Sequence, residues 1–421
     1  MLVYKFGGAS IATPERMTDL LPIIQEAKEP LVIVLSAFGK TTNALEAIVD
    51  KACKGDKEGA LALAQQIEED HLNFAKAILN DVYVKQASEA LHVFFTEIQW
   101  AIDDADTARY DYFYDQIVCV GELMSTTIFA QLVKQSGQNY EWVDARDLIR
   151  TDETYRDPKV DWDFSQQQTV ALVGSKLNSG TNIITQGFIG ATSDNASVTL
   201  GREGSDYTAA LLAAWLKANS VTIWKDVEGL RNADPKEFSN TVTIEAITFH
   251  EVIEMAYYGA QVIHPKTIKP LQNNNIPLYV KCFLNKDFKG TVIQNEVNTI
   301  FYPSLIIQKK NQILLQVTTK DFSFITEDNL SYLYKVFHGL KIKINLIQNA
   351  AISFVACIDN NEQKLVQLLS ELEKNYKVLR NDNVTLLTVR HYTSEILTEL
   401  LKGRYQLLEQ KTRNTVQVVL K

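Results

Sequence analysis

A run of consecutive apolar residues, Leu31–Leu35 (LVIVL), constrains the fold more than any other stretch of the chain. A strand that is apolar on both faces belongs in a sheet that is covered on both sides, which is typical of parallel sheets. Other strand patterns alternate with helical patterns over about 290 residues. This alternation predicts a doubly wound α/β domain with a mostly parallel sheet.

The segment Thr199–Leu212 (TLGREGSDYTAALL) combines glycines, polar residues and the start of an apolar helix, which we expect to begin near Asp206. Such a helix directs unpaired N–H groups and a partial positive charge at whatever precedes it, so it suits an anion. Arg202 adds a planar donor fork for a carboxylate or phosphate. Taken alone, the segment is explained equally well by Ser205 and Asp206 acting as helix caps.

A second glycine loop follows the predicted strand Leu2–Phe6. Gly7 and Gly8 lie directly after this strand, and Lys5 lies near its end, where an ammonium group can reach over the glycines towards a phosphate. A solvated lysine is the alternative, and a lone pair of glycines is a weak signal. We therefore treat Lys5, Gly7 and Gly8 as candidates that need support from the rest of the chain.

Polar residues also follow the apolar run. Ser36 and Thr42 lie beyond its carboxyl end, where open α/β sheets bind their ligands. The tripeptide GKT at 39–41 suggests a phosphate-binding P-loop, but the first P-loop glycine would fall on a valine, so we reject that motif. Asn43 and Glu46 resemble a capping box at the start of the next helix.

Glu122 lies in the apolar sequence VGELMS of a long helical segment. A carboxylate in these surroundings is either a buried group that awaits a cation, such as a substrate ammonium, or a partly exposed helix residue. The local sequence leaves both open.

The composition excludes several classes of function. The net charge of −9 argues against nucleic acid as the main partner. The cysteines are scattered, without CxxC, and no HExxH occurs, so we predict neither a disulfide framework nor a metal site. The amino terminus does not resemble a signal peptide, and the apolar runs are too short to span a bilayer, so we expect a cytoplasmic protein without a membrane partner.

The last part of the chain changes character at a boundary near Asn298–Ser304. Two βαββ-like units follow, which predicts a separate α+β region. The predicted strands are Gln312–Thr318, Lys343–Ile347, Ala351–Ile358, Val378–Asn381, Thr385–Arg390, Tyr405–Gln410 and Thr415–Leu420, and the predicted helices are Asn329–His338, Gln363–Tyr376 and Ser394–Leu401.

Taken in order, the motifs resemble those of the aspartate kinases. No single motif decides this resemblance, but the ordered set is specific. The motifs are Lys5–Gly8, Ser36-Ala37, Thr42-Asn43, Gly121–Ser125, Gly201–Ala210, Trp224–Val227, Asp234-Pro235 and His264-Pro265.

The resemblance implies a catalytic domain at residues 1–298 with the three-layer amino-acid-kinase fold. Residues 305–421 would form tandem ACT-like (ferredoxin-like) modules that regulate and dimerise the protein, the second module apparently truncated. The implied reaction is transfer of the ATP γ-phosphate, with Mg²⁺, to the β-carboxylate of L-aspartate. The product, 4-phospho-L-aspartate, leads towards lysine, threonine, methionine and diaminopimelate.

The resemblance also implies roles for individual residues. Arg202 would bind the substrate α-carboxylate and Glu122 its ammonium, while Lys5 and Asp206 would be catalytic. The further substrate contacts would be Ser36, Thr42 and Ser205, and the nucleotide contacts would be Lys5, Gly7, Gly8, Lys225, Asp226, Arg231, Lys236 and Gln261. Many relatives have tyrosine and lysine in place of Arg231 and Gln261, so these two assignments are the least supported.

Two further expectations concern regulation. The loop that holds lysine in lysine-inhibited relatives corresponds to Asn345–Ala351, which carries no carboxylate to pair with an effector ammonium. We therefore expect weak or absent lysine inhibition. The resemblance also implies a homodimer formed through the ACT-like region. The alternative to an active aspartate kinase is an amino-acid-sensing ACT protein with an inactive kinase domain, although such a sensor would not need Lys5.

No dinucleotide-binding motif GxGxxG occurs in the sequence, so we expect no homoserine dehydrogenase domain.

Overall fold

The computed structural model describes residues 1–297, 302–321 and 323–421, which divide into two compact units. The first unit contains Met1–Leu230, Thr243–Ile253 and residues from 263 to 297; the second contains Arg231–Val242, Glu254–Val262 and the described residues from 302 onwards. The predicted boundary falls partly on residues 298–301, which lie outside the described residues. The domain limits 1–298 and 305–421 stay a prediction.

Within its described residues, the first unit is built on an eight-stranded sheet of order β3-β4-β2-β1-β7-β9-β10-β8. Every neighbouring pair is parallel except β9 and β10, and β5 and β6 form a separate antiparallel pair. The strands are β1 Leu2–Phe6, β2 Leu31–Leu35, β3 Tyr140–Val143, β4 Asn182–Gln186, β5 Ile189–Ala191, β6 Ser197–Thr199, β7 Ser220–Lys225, β8 Ala246–Thr248, β9 Leu278–Cys282 and β10 Thr291–Gln294. The predicted mostly parallel α/β sheet is confirmed.

Helices pack on this sheet, with α7 against β2 to β4 and α11 against β1 and β7. The helices of residues 1–297 are α1 Pro14–Thr18, α2 Leu20–Gln25, α3 Thr41–Cys53, α4 Lys57–Ile78, α5 Asp81–Asp104, α6 Tyr110–Val118, α7 Val120–Gln135, α8 Ala145–Leu148, α9 Trp162–Thr169, α10 Ser175–Asn178, α11 Gly204–Trp215, α12 Phe249–Tyr258 and α13 Pro265–Asn273. The last residues of α12, from 254 onwards, belong to the second unit. Short 3₁₀ turns lie at Gly8–Ile11 and Thr107–Arg109, and a π-helical turn at Val170–Gly174 joins α9 to α10.

The stretch Thr107–Gln135, which contains α6 and α7, is long and apolar enough to cross a membrane by length and composition. Its most apolar window is 83% buried inside the fold, because α7 packs both on the sheet and on α5. Core helices of globular proteins pass the same test of composition. Burial in the core therefore accounts for the apolar character of this stretch.

Two predicted element limits in the first unit are wrong. Helix α3 begins at Thr41, so Asn43 lies inside the helix and forms no capping box, and Glu46 instead accepts a hydrogen bond from the Tyr114 hydroxyl at 2.6 Å. Helix α11 begins at Gly204, two residues before the predicted start. Helix α3 follows a turn in which the Thr41 N–H bonds to the Phe38 carbonyl, and α11 follows a turn in which the Gly204 N–H bonds to the Gly201 carbonyl.

The second unit contains an antiparallel sheet of order β12-β13-β11-β14-β16-β15, with helices on it, as far as its residues are described. This arrangement confirms the predicted α+β region. The strands are β11 Leu305–Thr319, β12 Ile344–Asn349, β13 Ser353–Asp359, β14 Tyr376–Arg390, β15 Gln406–Lys411 and β16 Thr415–Leu420, and the helices are α14 Glu327–Gly339, α15 Glu362–Leu372 and α16 Ser394–Leu401.

The predicted strands Val378–Asn381 and Thr385–Arg390 are in fact one strand, β14. Its polar middle looks like a turn in the sequence, but the strand continues because β11 pairs with it along nearly its whole length. Instead of a turn, the polar middle of β14 contains a shift in its pairing register with β11, beside Asn383, whose φ is 56°. The predicted helix ending at Tyr376 stops at Leu372, because Tyr376 pairs with β11.

Candidate active site

A cleft of about 440 Å³ opens in the first unit at the carboxyl ends of β1, β2 and β7, where open α/β sheets bind ligands. Every site residue predicted in the first unit lines this cleft, except Arg202. The predicted residues that line it are Lys5, Gly7, Gly8, Ser36, Thr42, Glu122, Ser205, Asp206, Lys225 and Asp226.

A buried ion pair lies at the centre of the cleft. The ammonium of Lys5, on β1, is 2.7 Å from the carboxylate of Asp206, in the first turn of α11. Both residues are buried, with 9% and 4% of their surfaces exposed. A buried charge is tolerated when a partner offsets its desolvation. Asp206 therefore holds the Lys5 ammonium in place where a ligand in the cleft can reach it.

Glu122 is the second charged feature of the cleft. It is 3% exposed on α7, and one of its oxygens accepts a hydrogen bond from the Ala37 N–H at 3.2 Å. Among the described residues, Oε2 has no hydrogen-bond partner. Burial raises the pKa of Glu122 to about 8. The hydrogen bond from the Ala37 N–H and the charge of Lys5 lower this pKa, but they offset only part of the effect of burial. An unpartnered buried carboxylate oxygen beside a cleft is suited to a cation from a ligand.

The amino terminus of α11 closes one side of the cleft. Glu203 directly precedes the helix and adopts a left-handed conformation (φ 55°). Its side chain accepts a hydrogen bond from the His264 N–H at 2.9 Å. No side chain of the described residues caps this helix end. The Ser36 hydroxyl donates to the Ser205 hydroxyl at 2.9 Å, which joins the end of β2 to the helix.

The amino terminus of α11 comes very close to Gly187, which directly follows β4. A Cβ atom at Gly187 would lie 2.5 Å from the Cβ of Ser205, so only glycine allows the helix end to approach. Phe188, which follows, has φ 72° and turns the chain towards β5. The position of Ser205 and Asp206 in the cleft therefore depends on a glycine in a neighbouring strand end.

The remaining predicted site residues lie outside the cleft lining. Arg202 is exposed, in the turn that precedes α11. Arg231, Lys236 and Gln261 belong to the second unit, where the Arg231 guanidinium donates to the Thr241 hydroxyl at 2.8 Å. Their predicted roles stay predictions.

Comparison with known proteins gives the family. The model of the amino acid kinase family matches residues 1–282. Lysine-sensitive aspartokinase 3 of Escherichia coli is 30% identical over 361 residues, which cover 85% of this chain and 78% of that protein. The chain belongs to the aspartokinases of the amino acid kinase family.

A solved structure of this group, E. coli aspartokinase III in complex with aspartate and ADP, superposes with a TM-score of 0.80 at 26% identity and covers 100% of this chain and 96% of that one. The bifunctional aspartokinase/homoserine dehydrogenase 2 of Arabidopsis thaliana is 30% identical over 332 residues, which cover 78% of this chain and 35% of that protein. The chain thus spans about a third of the length of the bifunctional plant aspartokinases that it matches.

Several residues line the cleft without having been predicted as site residues. Trp224 ends the apolar part of β7 and stacks on Phe6 at 6.0 Å between ring centroids, and Phe283 directly follows β9. Both could have been found from the rule that placed Ser36, because each lies at the carboxyl end of a parallel strand. Phe188 and Glu203 carry no comparable signal, since their backbone conformations arise from packing.

Proposed function

We propose that the chain is an aspartate kinase, which transfers the γ-phosphoryl group of ATP to the β-carboxylate of L-aspartate and forms 4-phospho-L-aspartate. This product is a precursor of lysine, threonine, methionine and diaminopimelate. The observation that carries the proposal is the unpartnered buried oxygen of Glu122, which lines the same cleft as the Lys5–Asp206 pair. Membership of the aspartokinases and the aspartate and ADP bound to the E. coli relative support it.

The amino-acid substrate requires one anion for its ammonium and one donor fork for its α-carboxylate. Glu122 supplies the anion, and Arg202, in the turn before α11, supplies the fork. Ser36, Thr42 and Ser205 orient the substrate side chain through their hydroxyl groups. Because the pKa of Glu122 is raised to about 8 in the free protein, binding of the ammonium favours the ionised form and releases a proton near neutral pH.

The β-carboxylate of aspartate is ionised at neutral pH and is itself the nucleophile, so the reaction requires no general base. Phosphoryl transfer depends on alignment of the reacting groups and on cations that stabilise the equatorial oxygens. Lys5 provides such a cation, and Asp206 orients its ammonium through the ion pair at 2.7 Å. The amino terminus of α11, which no side chain of the described residues caps, adds partial positive charge at the same place.

The nucleotide contacts that we propose in the cleft are Gly7, Gly8, Lys225 and Asp226. The nucleotide roles of Arg231, Lys236 and Gln261, which belong to the second unit, stay predictions. Mg²⁺ fits this set of donors, because proteins hold it through one or two carboxylates plus nucleotide phosphates, and Asp206 and Asp226 line the cleft. In residues 1–297, 302–321 and 323–421, the cleft included, no group of three or more His, Cys, Asp or Glu is arranged to hold a metal ion, so the nucleotide phosphates would supply the remaining ligands. Bound Mg²⁺ would neutralise charge on the phosphate oxygens.

The test is aspartate-dependent turnover of Mg-ATP, with the acyl phosphate trapped by hydroxylamine. We expect a hydroxamate with L-aspartate, and we expect Lys5→Met to lower kcat by about 100-fold or more through loss of the phosphoryl-stabilising cation. Lys134→Met, at an exposed position near the end of α7, is the matched control and should retain wild-type turnover. Aspartate binding without any hydroxamate would instead support an amino-acid sensor.

For the second unit we propose weak or absent inhibition by lysine. Asn345, the first residue of the stretch that we matched to the lysine site of relatives, lies on β12 rather than in a loop. Its side chain already bonds within the unit: it donates to Gln312 at 2.8 Å and to Asp359 at 3.0 Å, and it accepts from Lys309 at 3.0 Å. Turnover should therefore persist in millimolar lysine, and strong inhibition would contradict the proposal.

We also propose a homodimer formed through the ACT-like region. The strands β12 and β15 form the two edges of the antiparallel sheet, and edge strands present backbone groups that pair with another chain. Light scattering of the chain during size-exclusion chromatography should give twice the monomer mass, and a monomer at micromolar concentration would refute the proposal. The cytoplasmic location stays a prediction.

A further inference from the structure

A buried carboxylate outside the cleft contacts the segment that leads into it. Asp115, on α6, has no exposed surface. One of its oxygens accepts a hydrogen bond from the Thr199 hydroxyl at 2.6 Å, and the other accepts from the Arg156 N–H at 2.9 Å. The carboxylate therefore connects three segments that are far apart in the sequence.

Thr199 is the last residue of β6, and the turn that carries Arg202 begins two residues later. The neighbour of Asp115, Gln116, contacts the start of the same strand: its amide donates to the Ser197 carbonyl at 2.8 Å and accepts from the Ser197 N–H at 3.1 Å. Two adjacent side chains of α6 thus hold both ends of β6. Together they set the direction in which the chain enters the turn.

The segment around Arg156 contacts the turn itself. Gly201 has φ 76°, and a Cβ atom there would lie 2.9 Å from the Arg156 carbonyl oxygen, so the two backbones touch. Arg156 has φ 69°, a conformation that costs energy for a residue other than glycine. Its guanidinium is held against α6 by an ion pair with Asp111 at 3.0 Å and by the Tyr114 ring at 4.3 Å.

Packing alone does not explain a carboxylate at position 115. Burial raises the pKa of Asp115 to about 6, although the hydrogen bonds from Thr199 and Arg156 act in the opposite direction. A buried ionised group lowers the net stability of a fold compared with an apolar residue that packs well. What the carboxylate provides is geometry, because its two oxygens accept from two donors at once.

We propose that Asp115 is a positioning residue for the substrate: through Thr199 and Arg156 it holds the turn Gly201–Glu203 so that Arg202 meets the α-carboxylate of the substrate and Ser205 its side chain. This inference rests on the proposed function of Arg202 and Ser205. It adds a residue that touches no substrate and acts through the backbone of the turn.

The decisive variants change the Thr199 hydroxyl while Asp115 stays in place. Thr199→Val removes the donor with little change of shape, and Thr199→Ser keeps it. Thr169→Val is the matched control, because Thr169 is also fully buried and its hydroxyl has no hydrogen-bond partner among the described residues.

We expect Thr199→Val to raise the KM for L-aspartate about tenfold, with kcat and the KM for ATP changed less than about threefold. Thr199→Ser and Thr169→Val should keep the wild-type KM for aspartate. A purely structural role would lower the active fraction, and hence the apparent kcat, without changing either KM. That pattern, or an unchanged KM in Thr199→Val, would overturn the proposal.

Hydrogen–deuterium exchange of the ligand-free protein separates this inference from the proposed function. In Asp115→Asn and Thr199→Val we expect peptides that cover residues 199–206 to exchange about tenfold faster than in the wild type, whereas Thr199→Ser and Thr169→Val should match the wild type. Absence of aspartate-dependent turnover in the wild type would refute the proposed function and leave the exchange result to decide on Asp115. Unchanged exchange in both variants would refute the positioning role.

Discussion

Replacing Glu122 with glutamine should stabilise the ligand-free protein and strongly weaken aspartate binding. Glutamine keeps the shape of the side chain and an oxygen that can accept the Ala37 N–H, but it removes the charge. The wild-type carboxyl is buried and its pKa is raised to about 8, from 4.5 in the unfolded chain. The charge that suits the site to an ammonium group therefore destabilises the empty cleft.

The magnitude follows from this difference in pKa. Between pH 4.5 and about 8, the folded protein binds a proton at Glu122 that the unfolded chain has lost, so the wild-type stability falls as the pH rises. The slope approaches about 1.4 kcal/mol per pH unit, or about 2 kcal/mol between about pH 6 and about pH 7.5. Glu122→Gln lacks this dependence. Its stability relative to the wild type should therefore increase by about 2 kcal/mol over that interval and level off above about pH 8.

The assay is urea denaturation of both proteins without ligand, followed at several pH values. Any fixed cost of the unpaired amide N–H groups in the variant is the same at each pH and cancels from the comparison. Glu89→Gln, at an exposed position on α5, is the control and should follow the wild type at every pH. A difference between Glu122→Gln and the wild type that does not change with pH would refute the reasoning.

The same variant should lose function. Loss of the anion opposite the substrate ammonium removes a charge-assisted hydrogen bond in a buried site, so we expect the KM for L-aspartate to rise by about 100-fold or more. A more stable but inactive protein is the combination expected of a site whose strain serves binding. A variant that binds aspartate normally would remove Glu122 from the site.

Three further outcomes are expected. Calorimetry of aspartate binding to the wild type at about pH 6.5, in two buffers of different ionisation enthalpy, should show release of about one proton. Equal binding enthalpies in the two buffers would contradict the role of Glu122. Gly187→Ala should lower the free energy of unfolding by about 1–3 kcal/mol and reduce turnover, because its Cβ would meet Ser205. Its control is Gly339→Ala, where a Cβ meets nothing within 4 Å, and this variant should match the wild type in thermal melting and activity. Asp206→Asn should lower kcat about tenfold or more while aspartate still binds, since the Lys5 ammonium loses the charge that orients it, and an unchanged kcat would argue against that role.

The parts of the fold that local pattern controls could be predicted closely. Leu2–Phe6 and Leu31–Leu35 are strands with the expected limits, because an apolar run bounded by glycine or serine specifies both the element and its end. Lys5 and Ser36 lie at the carboxyl ends of these two strands and both line the cleft, because neighbouring parallel strands bring those ends together.

Other features depend on contacts between distant residues. Whether Glu122 was buried or exposed was left open, because helix α7 is apolar on nearly all sides and its sequence gives no inner face. The missed continuity of β14 has the same origin, since only its pairing with β11 carries the strand through its polar middle.

The sequence by itself determined the order of strands and helices, the glycine loops and the set of charged residues available to a site. Only the tertiary structure decided which of those charges are buried, which are paired and which have an open oxygen. The bond between Asp115 and Thr199 joins residues 84 positions apart, and no local pattern signals it. The physical reason is that burial and hydrogen bonding are set by neighbours in space, whereas periodicity and turn propensity report only neighbours in the chain.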